Sequence, residues 1–284
     1  MEIVTRVADI RALVRQARAA GKTVALVPTM GFLHEGHLTL MRTARADHGL
    51  VIASIFVNPL QFGPNEDYAV YPRDLERDAR LAASAGVDAV FAPPVEEMYP
   101  QGAADMLTFV EVKDITERLC GAKRPGHFRG VATVVAKLFN IVAPDVAYFG
   151  QKDAQQVVVI KRMAADLSMD VRIATVPIVR EADGLALSSR NVYLNPAERQ
   201  AALVLSRAIG LAAERLRAGQ RDAAAIRGEM TEFIGGEPLA ACDYVSVSDP
   251  ATLEELDTVA GPALVALAVR IGKTRLIDNM LWEG

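Results

Sequence analysis

The chain has 284 residues, 51% of them hydrophobic and 23% charged, with a formal net charge of −4. This composition suits one large or two ordinary packed domains and argues against a disordered chain; no apolar stretch reaches about 18 residues without a charge, so no membrane span is expected. The acidic balance, without a long cationic run, leaves no electrostatic footprint for nucleic acid or an anionic membrane surface.

Ile10, Leu13, Val14 and Ala17 recur at helical spacing and Gly21 stops the pattern, so a core-facing helix precedes the apolar run at 23–27, a buried strand. Residues 28–37, Pro-Thr-Met-Gly-Phe-Leu-His-Glu-Gly-His, lead from that strand into a periodic helical segment at 38–46. A strand that feeds a helix through glycines lets the backbone approach a ligand closely. It also aims free first-turn amides, with their partial positive charge, at an anion such as phosphate. The pattern Gly-x-Gly-x-x-Gly is absent, and His34 and His37 stand in its place. With the helix starting near Gly36, both imidazoles can face phosphates as hydrogen-bond donors. A purely structural pair is the other reading; half of a metal site is a third, although no cluster of Cys, His and acid at ligand spacing completes it.

Apolar runs at 50–57 and 89–92, separated by the amphipathic 75–85, continue the alternation, as do 146–149, the helix-like 154–167 and 171–177. Strands alternating with helices imply a parallel sheet. Residues 1–177 are therefore expected to form one doubly wound, Rossmann-like α/β unit, with its ligand beyond the carboxyl ends of the strands where their order reverses. The loops at those ends carry the candidate residues. Gln61 is a neutral donor and acceptor suited to a hydroxyl or carboxylate, or else a solvated loop residue. Residues 68–73 read as a lid or as an ordinary loop. The cationic loop at 123–129, before the apolar helix at 131–142, either steers an anionic substrate or is a charged surface turn. At 150–156, Lys152 is a mobile point charge for phosphate, and Gln156, one turn into the helix, can face the same cleft.

After residue 177 the character changes. A polar connector at 180–184 runs into Leu187-Ser188-Ser189-Arg190, a loop of small hydroxyls and a guanidinium able to fold over a triphosphate. Asn195, Pro196 and Glu198 supply an N-cap, a first-turn proline and an acidic third position for a long helix to Ala218, followed by a helix at 222–234. Strands are expected at 244–247, 264–271 and 275–280, with Gly272-Lys273 as a hairpin turn. Residues 178–284 thus read as a smaller α/β domain covering the cleft. Cys120 and Cys242 are too few and too far apart for a disulfide framework, and the first residues lack a basic region before a long apolar one, so a cytoplasmic protein is expected.

The His-Glu-Gly-His turn resembles the His-x-Gly-His mark of nucleotidyltransferases that activate a substrate by adenylation. Together with the segments at 56–62, 124–156 and 187–191, it makes the whole chain resemble the pantothenate synthetase family, ATP-dependent ligases of pantoate and beta-alanine. Four separated motifs in order carry that resemblance. It implies that Met30, Gly31, Phe32, Leu33, His34, Glu35, Gly36, His37, Gly150, Gln151, Lys152, Asp153, Val179, Leu187, Ser188, Ser189 and Arg190 line the ATP site. It implies also that Gln61 and Gln156 hold the substrate pantoate, and that His37 is a proton donor. Phe32 and Leu187 stand where a different apolar residue and a methionine are expected, which bears on adenine packing rather than on the chemistry. ATP is then a substrate carrying Mg2+ on its phosphates, with His34, His37, Lys152 and Arg190 as the charge-stabilising donors, and a homodimer through the larger domain is implied. Two other readings are a nucleotidyltransferase acting on a phosphate-bearing acceptor and a non-catalytic nucleotide sensor. The first wants a phosphate clamp where the neutral Gln61 and Gln156 sit, and the second leaves His37, Lys152 and Arg190 unexplained.

Overall fold

A computed structural model describes residues 1–64, 66 and 68–284. The larger part runs β1 (Glu2–Val4), α1 (Val7–Ala19), β2 (Val24–Thr29), α2 (Glu35–Asp47), β3 (Leu50–Ile55), α3 (Leu75–Ser84) and β4 (Ala89–Phe91). It continues with α4 (Val95–Met98), α5 (Leu119–Lys123), α6 (His127–Val142), β5 (Val146–Gly150), α7 (Ala154–Asp166) and β6 (Arg172–Val176). Its six strands are all parallel, in the order β1-β4-β3-β2-β5-β6.

The strands are apolar throughout because both faces are covered, and their two-residue period divides the side chains between two cores. Val24, Leu26, Leu50 and Ile52 pack with α1, α6 and α7. Ala25, Val27, Val51 and Ala53 pack with Leu38, Met41 and Ala44 of α2 and Ala82 of α3. The strand order reverses between β2 and β5, so the crevice expected at the carboxyl ends lies between the turns that follow those two strands.

The remainder comprises α8 (Pro196–Ala201), α9 (Leu203–Arg217), α10 (Ala223–Gly235), β7 (Ala240–Ser248), β8 (Ala263–Ile271) and β9 (Thr274–Trp282). These strands form an antiparallel sheet in the order β7-β8-β9. On β8, Val265, Leu267, Val269 and Ile271 face the helices, whereas Leu264 and Ala266 join the core of the larger sheet. The small sheet is therefore buried on both faces and docks directly against the larger part.

Three local expectations shift, and one element has no counterpart in the sequence reading. The edge strand β1 is not legible in its three residues, which pair with β4 only through tertiary contact. The long helix expected to Ala218 is broken at Ala202, where the amide of Leu205 turns back to the Ala202 carbonyl at 3.3 Å. The cationic loop is shorter than its sequence suggests, since Gly126 in the left-handed region ends the turn and His127, Phe128 and Arg129 open α6. Strand β7 begins at Ala240 with a bulge between Cys242 and Tyr244. No helix among the described residues is long and apolar enough to cross a membrane.

Candidate active site

The turn after β2 is held from three sides. The Thr29 hydroxyl donates to the Ser54 carbonyl at 2.8 Å and accepts the Gly31 amide at 3.1 Å. Asp78, buried on α3, accepts the Phe32 and Leu33 amides at 2.6 and 2.8 Å, while Arg77 donates to the Leu33 carbonyl at 2.9 Å. Gly31 and Phe32 take φ of 83° and 50°, and a Cβ on Gly31 would lie 3.0 Å from both Asp78 and Ile55. Glycine at 31 is thus required by conformation and by space.

His34 is the N-cap of α2, and its ring takes part in a reciprocal cap. Its Nδ1 accepts the Gly36 amide at 3.2 Å, while Nδ1 of His37 accepts the His34 amide at 3.3 Å. Imidazoles therefore do what Ser and Glu do in an ordinary capping box. With Nδ1 of each ring accepting, Nε2 carries the proton, so both rings are neutral donors through Nε2–H. Burial, then the Lys152 ammonium, lowers the His34 pKa to about 4 against a partial opposing pull from Asp153; His37 is held well below its usual value by burial, by His34 and by Lys152. The expectation of free first-turn amides is corrected at two positions: the Gly36 amide donates to the His34 ring and the His37 amide to the His34 carbonyl at 2.8 Å, while the rings present Nε2–H beyond them.

Across the crevice, Gly150 closes β5, and the single turn Gln151–Asp153 sets Lys152 and Asp153 at the mouth of α7, with Nζ 3.9 Å from the Asp153 carboxylate. The third wall is the strap at 187–190. The Leu187 amide donates to the Val179 carbonyl at 3.0 Å, the Ser188 hydroxyl accepts the Arg190 amide at 3.2 Å, and the Ser189 hydroxyl meets that of Tyr71 at 3.5 Å.

Gln61 lies on the short 3₁₀ turn after β3, and a chain of bonds orients its amide. The Leu60 N–H can only donate, and it does so to Asn58 Oδ1 at 3.3 Å, which also accepts the Tyr99 hydroxyl at 2.6 Å. Asn58 must then turn Nδ2 outward, donating to Gln61 Oε1 at 3.2 Å and to the Gly130 carbonyl at 3.1 Å. Gln61 in turn presents Nε2, which meets the weak acceptor sulfur of Met30 at 2.9 Å. The backbone of Gln61 is held by His127, whose Nδ1–H donates to its carbonyl at 2.7 Å while Nε2 accepts from Arg124 at 2.9 Å; burial and Arg124 lower the His127 pKa to about 4. Arg124 is itself paired with Glu66.

Of the residues expected at the nucleotide, Met30, His34, Gly36, His37, Gly150, Lys152, Asp153, Val179, Leu187, Ser188, Ser189 and Arg190 line one continuous cleft, and Gln61 and Gln156 share it. Gly31, Phe32, Leu33, Glu35 and Gln151 do not line it. Leu33 is fully buried, Glu35 pairs with Arg42 at the surface, and Gln151 turns to Asn279. Gly31 lines a separate hollow behind the turn. The cationic loop and the 68–73 segment reach the cleft wall through Arg124, His127 and Tyr71, whereas sequence reasoning missed Asn58 and the fully buried Ser54, whose hydroxyl has no partner among the described residues. Asn58 before Pro59 is a readable turn cap; Ser54, inside an apolar strand, carries no local signal.

A family profile described as pantoate-beta-alanine ligase matches residues 2–281. The pantothenate synthetase of Pelotomaculum thermopropionicum is 62% identical over 281 residues, 99% of each chain. That of Heliobacterium modesticaldum is 62% identical over 283 residues, 100% of each. Among solved structures, the pantothenate synthetase of Thermus thermophilus superposes with a TM-score of 0.93 at 49% identity, covering 99% of both chains. The pantoate-beta-alanine ligase of Francisella tularensis, complexed with beta-gamma ATP and beta-alanine, gives 0.78 at 35% identity, covering 99% of this chain and 97% of that one. On full-length matches at this identity, and with a six-stranded parallel sheet and an antiparallel C-terminal sheet like theirs, the chain belongs to the pantoate-beta-alanine ligase family of carbon–nitrogen bond-forming ligases.

Proposed function

We propose that the cleft binds Mg-ATP and pantoate, forms pantoyl adenylate with release of pyrophosphate, and passes the pantoyl group to the amine of beta-alanine with release of AMP. The observation that carries this reading is the pairing of two chemistries in one cleft. Neutral imidazole donors, Lys152 and Arg190 line the same cleft as the amide of Gln61, whose Oε1 is taken by Asn58 so that Nε2 is left to donate.

In the first step a pantoate carboxylate oxygen attacks the α-phosphorus and the bond to the β-phosphate oxygen breaks, so negative charge must be stabilised on phosphate oxygens while the reactants stay in line. Lys152 and Arg190 supply charge. His34 and His37 supply Nε2–H hydrogen bonds; the depressed pKa of His37 makes it a neutral donor at physiological pH rather than an imidazolium acid. Magnesium enters as part of the nucleotide substrate, and Asp153 is the one carboxylate among the described residues lining the cleft that could meet its water shell. Gln61 and Gln156 hold the pantoate oxygens. In the second step the amine attacks the acyl carbon, the amide forms and the bond to AMP breaks. In this reading residues 1–177 bind ATP and pantoate, and residues 178–284 form a lid that adds Arg190 to the site and keeps water from the mixed anhydride. A cytoplasmic homodimer completes the proposal.

A phosphate-bearing acceptor is disfavoured by the neutrality of Gln61 and Gln156. The test is isotope exchange of pyrophosphate into ATP. Exchange should require pantoate and magnesium and proceed without beta-alanine; equal exchange with pantoate omitted would overturn the proposal.

A further inference from the structure

Of two adjacent residues of β9, Asn279 reaches the turn that carries Lys152, and Asp278 reaches Arg180, on the connector that leads into the 187–190 strap. Successive side chains of a strand point to opposite faces, and both of these are buried, at 2% and 3% exposure. Asn279 faces the larger sheet. Its Nδ2 donates to the carbonyls of Gln151 and Lys152 at 3.0 and 2.9 Å, and its Oδ1 accepts Nε2 of Gln151 at 3.0 Å. Both N–H groups and the carbonyl of that amide are thereby used on the backbone and side chain of the turn that carries Lys152. Asp278 faces the other way and takes the Arg180 guanidinium through two bonds of 2.7 and 2.8 Å, while also accepting the Asn279 amide at 2.7 Å. Arg180 donates in addition to the Gly184 carbonyl at 3.0 Å, and the bridge from Arg180 to Ala186 leads directly into the strap that carries Arg190.

We propose that Asp278 and Asn279 are positioning residues, a two-residue clasp through which the C-terminal sheet sets the Lys152 turn and the Arg190 strap at one separation. Neither lines the cleft assigned to the substrates; Asn279 acts through the turn that carries Lys152, and Asp278 through Arg180 and the segment that leads to Arg190. The inference rests on the assignment of Lys152 and Arg190 to the nucleotide phosphates. Its chemical basis is that a flexible lysine contributes to a developing charge only if its backbone is fixed, since a misplacement of about 1 Å is enough to cost on the order of a hundredfold in rate. A turn of three residues cannot fix itself, and the carbonyls of Gln151 and Lys152 find their donor on Asn279.

The test is single-turnover pyrophosphate release from ATP and pantoate, at a temperature well below the melting transition of every variant. Asn279→Asp retains shape and the acceptor while removing both donors. It should slow the adenylation step by about tenfold to a hundredfold, with pantoate affinity changed less than threefold. In the double variant with Lys152→Ala, the rate should fall no further than in Lys152→Ala alone, because a residue acting through Lys152 has nothing left to position. Arg180→Ala, at a side chain 30% exposed, provides the second arm should Asn279 variants not fold, and its effect should be absorbed in the same way by Arg190→Ala. Multiplicative losses in the double variants, or unchanged single-turnover rates in the single ones, would overturn the clasp. Absence of pantoate-dependent pyrophosphate release in the unaltered chain would instead overturn the functional reading, so the two failures are distinguishable.

Discussion

Replacing Gln61 by Leu removes the amide while keeping a side chain of similar size, and the bonds around it set the expected cost. In the free protein, Asn58 Nδ2 loses the Gln61 Oε1 acceptor but keeps the Gly130 carbonyl, so the fold should lose only about one hydrogen bond, roughly 1 kcal/mol. The contact to the Met30 sulfur is weak and adds little. In the complex, the donor aimed at a pantoate oxygen is gone. A hydrogen bond to a charged group contributes about 1.5 to 3 kcal/mol, so pantoate affinity should fall by roughly ten- to 150-fold. Gln156→Leu should act in the same direction, and the two effects together should be less than additive, since both grip one small ligand. ATP affinity should barely change, because neither glutamine lies on the turns that carry His34, Lys152 or Arg190. Calorimetric titration of each variant with pantoate and with ATP checks this. A tenfold loss of ATP affinity with pantoate affinity retained would refute the division of the cleft and favour a phosphate-bearing acceptor.

Lys152→Ala and Arg190→Ala should each slow adenylate formation by about a hundredfold, close to 3 kcal/mol, with unchanged circular dichroism; unaltered single-turnover rates would remove them from the site. His34 and His127, each brought to about 4, and His37, also lowered, are bases that the fold keeps neutral. Between about pH 6.5 and pH 4 the unfolded chain binds protons that the folded chain refuses, so stability should be full above that window and fall as pH drops through it. A urea titration series across pH 7.5 to 4 checks the sign, and a midpoint that rises on acidification would contradict it. Light scattering at micromolar concentration should give twice the 30.6 kDa chain mass; a monomer-sized particle would contradict the dimer.

Much of the architecture is legible locally because burial on both faces leaves a plain trace. Residues 23–27, 50–57 and 146–149 are continuous apolar runs, and they became β2, β3 and β5 at the centre of the parallel sheet. The edge strand β1 left no such trace, since an edge needs only one neighbour and three residues suffice. That His34 and His37 stand together at the start of a helix was readable from their spacing on one helical turn. The amide economy of that turn was not, because whether an imidazole caps the helix depends on ring placement.

What the chain order alone determined is what short-range geometry controls: the alternation of strand and helix, the glycine turn at 31, and the cations of the Lys152 and Arg190 loops. Tertiary structure decided which polar atom faces the cleft. Tyr99 lies 41 positions from the Asn58 whose amide it orients, Asp78 lies 46 from the turn it holds, and Asn279 lies 127 from the Lys152 carbonyl. A buried amide or carboxylate chooses its orientation by the donors and acceptors around it, and those partners meet only after segments remote in the chain have packed against one another.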